Sequence, residues 1–117
     1  MTARAVLRCL RGIGFAAFAL TAAHVLAQTF VVPPELWDRP RSGRAVLDQP
    51  ALRQAVHAYL ELPGSRVVVR HGAAQDSRLA AEELRSWLAA LAVEPGRISL
   101  EGGLKPSEPL RIEVLRD

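Results

Sequence analysis

Three segments of the chain alternate apolar and polar side chains with a period of two, and this alternation constrains the fold more than any other feature. In Arg66-Val67-Val68-Val69-Arg70, Val67 and Val69 share a face opposite Arg66 and Arg70. Ile98 and Leu100 oppose Arg97, Ser99 and Glu101, and Leu110, Ile112 and Val114 oppose Arg111 and Glu113. Such strands need a sheet with one buried face and one wet face. Two helical stripes can supply the cover. Leu52, Ala55, Val56 and Tyr59 fall at i, i+3, i+4 and i+7, and Ala80, Leu84, Trp87, Leu88 and Leu91 share a second helix face. Asp48 is placed to cap the first helix, which has Pro50 in its first turn, and Asp76 or Ser77 to cap the second. Leu62-Pro63-Gly64 and Pro95-Gly96 stop the two helices. Thr29-Phe30-Val31-Val32 is a further β-prone run, ended by Pro33-Pro34. Asp38 to Arg44 reads as an irregular loop, and Gly102-Gly103 as a turn. The expected fold is an α/β two-layer sandwich in the order β-α-β-α-β-β.

The stretch before this body has a different make-up. Arg4, Arg8 and Arg11 precede an uncharged run rich in alanine, with Ile13, Phe15, Phe18 and Leu20. Val25-Leu26-Ala27 offers small residues where a signal peptidase reads, which predicts a signal peptide over 1–27 and a mature chain from Gln28. The competing reading is an uncleaved anchor, because no charge occurs between Gly12 and Pro34. His24, Gln28 and Thr29 weaken its second half, so cleavage is preferred. Both readings keep the arginines inside and place the body in the periplasm, either free or tethered to the inner membrane. The single cysteine, Cys9, would leave with the signal. The remaining body divides into a strand and loop over 28–44 and an α/β domain over 45–117.

Charge narrows the function. The chain carries +3 overall, yet Gln28 to Asp117 holds twelve basic and twelve acidic residues. A neutral body argues against nucleic-acid binding, which needs a surplus of cations. No Gly-x-Ser-x-Gly phrase surrounds any serine, Glu82 and Glu83 are neighbours that do not converge, and no glycine-rich phosphate loop is present. His57 and His71 lack a third partner for a metal. The expectation is a non-enzymatic domain with no cofactor and no metal.

The element order and several local phrases resemble the OmpA C-terminal-like domain family of the bacterial envelope over residues 45–115. Arg66-Val67-Val68-Val69-Arg70-His71-Gly72 is similar to that family's second strand and turn. Leu84 to Ser99 is similar to its second helix, exit loop and following strand, and Leu110-Arg111-Ile112-Glu113-Val114 to its closing strand. The family grips the diaminopimelate of peptidoglycan with an Asp in the turn and an Arg on the second helix. Those positions fall near Ala73 and Ala80 here, so the resemblance implies a fold relative without the usual ligand pair. Asp76 and Arg78 are the nearest substitutes, but two residues apart on a helix they diverge.

Two groups of candidate residues follow. His71, Asp76 and Arg78 lie at the carboxyl end of the central strand, where α/β sheets bind ligands. Trp37, Arg39, Arg41 and Arg44 form the one basic concentration of the body, with an aromatic beside it, a composition favoured at protein interfaces. Trp37 could equally fold back over the small core. The expected role is an exported periplasmic accessory or scaffold domain that binds another envelope protein. Peptidoglycan binding through His71, Asp76 and Arg78 is the second reading, and contact with a membrane is expected only if the N-terminal segment stays uncleaved.

Overall fold

The computed structural model describes residues 27–116. The expected signal peptide lies outside them except for Ala27. Among the described residues no helix is long and apolar enough to cross a membrane.

The chain runs β1 (Gln28–Val31), a 3-10 turn (Pro34–Asp38), α1 (Gly43–Leu47), α2 (Pro50–Glu61), β2 (Ser65–Gly72), α3 (Gln75–Ala90), a short 3-10 turn (Pro95–Arg97), β3 (Ile98–Leu104) and β4 (Arg111–Arg116). The four strands form one mixed sheet in the order β1-β4-β2-β3. β2 and β3 are parallel, joined by α3, while β4 is antiparallel to both β1 and β2. The helices pack against one face, as the alternation requires.

The core lies between the layers. Val67, Val69, Ile112 and Val114 of the sheet meet Leu52, Ala55 and Ala58 of α2 and Ala81, Leu84 and Leu88 of α3. All are buried, and Trp37, Val56, Tyr59, Trp87 and Leu91 pack half-buried around them. Residues 28–44 are built into this body. β1 pairs with β4, the Val32 N–H donates to the Leu110 carbonyl at 2.9 Å, and Val32 and Leu36 are buried in the core.

Four local expectations are corrected. Residues 43–47 are helical, because Ser42 caps them: its Oγ accepts from the Ala45 N–H at 3.1 Å. Asp48 does not cap α2; its own N–H closes α1 on the Arg44 carbonyl, and α2 starts with Pro50 at its first position after an uncapped Gln49. α3 begins at Gln75 with Ala74 as an N-cap that makes no side-chain bond. Ser77 Oγ instead accepts from the Gly72 N–H at 2.7 Å, and Asp76 Oδ1 from the Ser77 N–H at 2.8 Å. Gly102 and Gly103 continue β3 to Leu104, with Gly103 at φ +114° and a register shift opposite Arg70 to Gly72. Glycine allows the strand to absorb that irregularity without leaving the sheet.

Candidate functional site

Because β2 and β3 are parallel, their carboxyl ends meet at one edge of the molecule, beside the start of α3. A cleft of about 340 Å³ opens there. Its floor is Gly72, Ala73 and Ala74 with Ser77 and Ala80 of α3. Leu104, Pro106, Pro109 and Leu110 wall it from the β3–β4 connection, and Pro34 and Trp37 from the 3-10 turn after β1. The lining is mostly apolar. Its two ionisable groups are carboxylates, Asp76 and Glu108. Glu108 Oε1 also accepts from the Lys105 N–H at 2.9 Å, which folds the connection into a tight loop.

The structure brings together one residue from each candidate group: Trp37 and Asp76 both line the cleft. The others stand apart from it. His71 is half-buried with Nδ1 2.8 Å from the Gly72 carbonyl, so its ring is occupied by its own strand end. Arg78 is exposed on α3, and its backbone N–H closes the first helical turn on Ala74. Arg39 and Arg44 are exposed; Arg39 borders a shallow depression with Glu35, Pro40 and Gln49. Ala73 and Ala80, where the resemblance places a ligand-gripping pair, also line the cleft.

Arg41 holds the site together from inside. Its Nε donates to Glu83 Oε2 at 2.6 Å and an Nη to Glu83 Oε1 at 2.7 Å, a bidentate pair 42 residues apart in sequence. Its other Nη donates to the carbonyls of Trp37 at 3.1 Å and Arg39 at 2.9 Å. The guanidinium carbon lies 5.4 Å from the centre of the Trp37 ring. Glu83 Oε2 accepts a further bond from Trp87 Nε1 at 3.1 Å. The two tryptophans are thus joined through one ion pair, and the 3-10 turn that carries Trp37 is fastened to α3. The Arg41 hydrogen bonds lower the Glu83 pKa below its ordinary value, against the opposing effect of desolvation, and the same pairing raises that of Arg41. Arg41 is therefore a positioning residue for Trp37 rather than an open cation of a docking surface.

Sequence reasoning missed Glu83, Glu108 and the prolines at 106 and 109. Glu83 and Trp87 at i, i+4 gave the available signal, since that spacing sets two side chains side by side on a helix. Among the described residues, no group of three or more His, Cys, Asp or Glu side chains converges as metal ligands would. His57 and Glu61 pair on the surface of α2, Nε2 to Oε1 at 3.0 Å, as their spacing predicts. Compared with known proteins, the chain matches no family model, and no curated protein is significantly similar to it.

Proposed function

We propose that this is a periplasmic, non-enzymatic accessory domain that binds a segment of another envelope protein in the cleft at the carboxyl ends of β2 and β3. The observation that carries the reading is the lining: apolar walls, a clamped Trp37 at the rim, and ionisable groups of one sign, Asp76 and Glu108. A pocket of this kind suits an aliphatic or proline-bearing peptide with a basic side chain, the apolar surface giving affinity and the carboxylates orientation. The chemistry of the lining also supports a binding role over catalysis. Ser77 Oγ faces the Gly72 N–H, and the His71 ring is turned to its own strand, so neither offers a nucleophile with a base beside it. The test is a pull-down from envelope extract with the wild type, Trp37→Ala and Asp76→Asn. A partner captured by the wild type and lost from both variants is expected; an unchanged profile removes the cleft from the contact.

A second reading, peptidoglycan binding, is favoured by one observation: Ala73 and Ala80 border the same cleft. With alanine at both positions, an ammonium is left to Asp76 and Glu108, and no cation of the lining could meet a carboxylate. Sedimentation with purified sacculi, comparing wild type with Asp76→Ala, separates the readings. Wild-type sedimentation abolished by that change would favour the cell wall. N-terminal sequencing of the exported protein tests the localisation, a new terminus at Gln28 marking a cleaved signal and a retained Met1 an anchor.

A further inference from the structure

The face of the sheet away from the helices is a second surface with its own chemistry. Register places its residues in rows across the strands. One row is Val31, Arg111, Arg70, Glu101; the next is Thr29, Glu113, Val68, Ser99. The strands bring three arginines to this face, Arg66, Arg70 and Arg111, and two glutamates. Arg70 takes both carboxylates: its Nε donates to Glu113 at 3.0 Å and an Nη to Glu101 at 3.2 Å. The Arg111 side chain, directly opposite that of Arg70, makes no hydrogen bond or ion pair among the described residues. Its Nε is shielded from water without an acceptor, while the residue as a whole is half-buried. Like charges directly opposite on a sheet destabilise it.

We propose that this face docks a partner protein through Arg111, which takes a carboxylate from a strand or loop of that partner. Three features select the occupant. The cation is already held with a shielded stem, so little side-chain entropy is lost on binding. Val31, its row neighbour on the edge strand, is 52% exposed and offers an aliphatic contact beside it. Glu101 and Glu113 stand in the same two rows and would repel a uniform array of phosphates, but a protein surface can match both signs. Arginine is among the residues enriched at the energetic centres of protein interfaces. The cleft and this face are built from different residues, so the two contacts are independent.

The test uses the full chain, labelled with 15N in neutral detergent micelles, and reads the Arg111 Nε–H resonance. The probes are a Val-Glu-Val-Glu-Val peptide, its Gln counterpart, inorganic phosphate, and phosphatidylglycerol added to the micelles. The Glu peptide is expected to shift the Arg111 Nε–H and the Val31 amide to saturation, and the other three to leave them in place. Arg111→Gln should weaken the Glu peptide about tenfold while retaining the dispersed amide spectrum, since it relieves the repulsion with Arg70. Asp76→Asn, in the cleft, should bind the peptide as the wild type does. Equal shifts with the Glu and Gln peptides, no shift with either, a comparable response to phosphate or phosphatidylglycerol, or unchanged binding by Arg111→Gln would each overturn the proposal. Arg111→Lys keeps the charge and should bind better than Arg111→Gln; binding no better than Arg111→Gln would overturn the proposal.

Discussion

Glu83 connects α3 to a turn that precedes it by more than forty residues, and the pair it forms with Arg41 gives the molecule a measurable pH dependence. The carboxyl is held below its ordinary pKa chiefly by the Arg41 hydrogen bonds. A group with a depressed folded pKa adds stability above its unfolded pKa and loses it as the pH falls through the folded value. Thermal melts of the wild type and Glu83→Gln should therefore differ most near neutrality, by a few degrees, with the wild type higher. The gap should close as the pH drops through and below the ordinary carboxylate range. A constant gap across that range would mean that Glu83 acts through shape alone. Both side chains are partly exposed, so solvent screening keeps the effect modest. The pair was not legible in the sequence. Arg41 reads there as one of three neighbouring cations, and nothing local distinguishes the one that turns inward from Arg39 and Arg44, which remain outside.

At the scale of elements, period and stop signals carried most of the information. The stripes on α2 and α3 were visible because burial imposes helical spacing directly on residue type. Caps were less visible, since Ser, Asp and Asn suit turns and caps alike. Ser77 bonds back to β2, and Ser42, in what read as loop, caps a helix instead. The end of α3 shows a further limit. The Val93 N–H donates to the Leu88 carbonyl at 3.0 Å and the Ala92 N–H to Ala89 at 3.3 Å, the paired bonds of a Schellman cap. Val93 and Leu88, which such a cap brings together, are both buried. The motif places Ala92 at φ +89°, a position usually held by glycine. Ala92→Gly should remove the strain of a Cβ in that conformation and stabilise the protein by about 1 kcal/mol. Urea denaturation should report it as a higher midpoint at unchanged slope. The opposite exchange at Gly103, also at positive φ, should cost about 1 kcal/mol in the same assay. Core truncation belongs to a larger class. Leu84→Ala, at a fully buried position facing the sheet, should cost about 3 kcal/mol.

For the whole molecule, the order of elements was legible but the closure of the sheet was not. Alternation says that a strand has a wet face; it does not say which strand lies beside which. The α3 crossover makes β2 and β3 parallel neighbours, as expected for a strand-helix-strand unit. The insertion of β4 between β1 and β2 is a long-range choice with no local mark. That choice decides the standing of residues 28–42. They look detachable in the sequence, yet β1 completes the sheet beside β4, and Val32 and Leu36 fill the core beneath it. Burying two such side chains contributes about 3 to 6 kcal/mol. A domain of this size is stable by roughly 5 to 13 kcal/mol in all. Removing the segment also strips β4 of its outer partner and takes away Arg41, Trp37 and the wall of the cleft. A chain starting at Gly43 should therefore lose the greater part of its stability. Its urea transition should shift to near zero denaturant or lose its cooperativity, and the near-UV signal of Trp87 should collapse with it. Were the shortened chain to unfold at the wild-type midpoint, β1 and its turn would be an appendage, and the cleft would need to be rebuilt from the remaining residues.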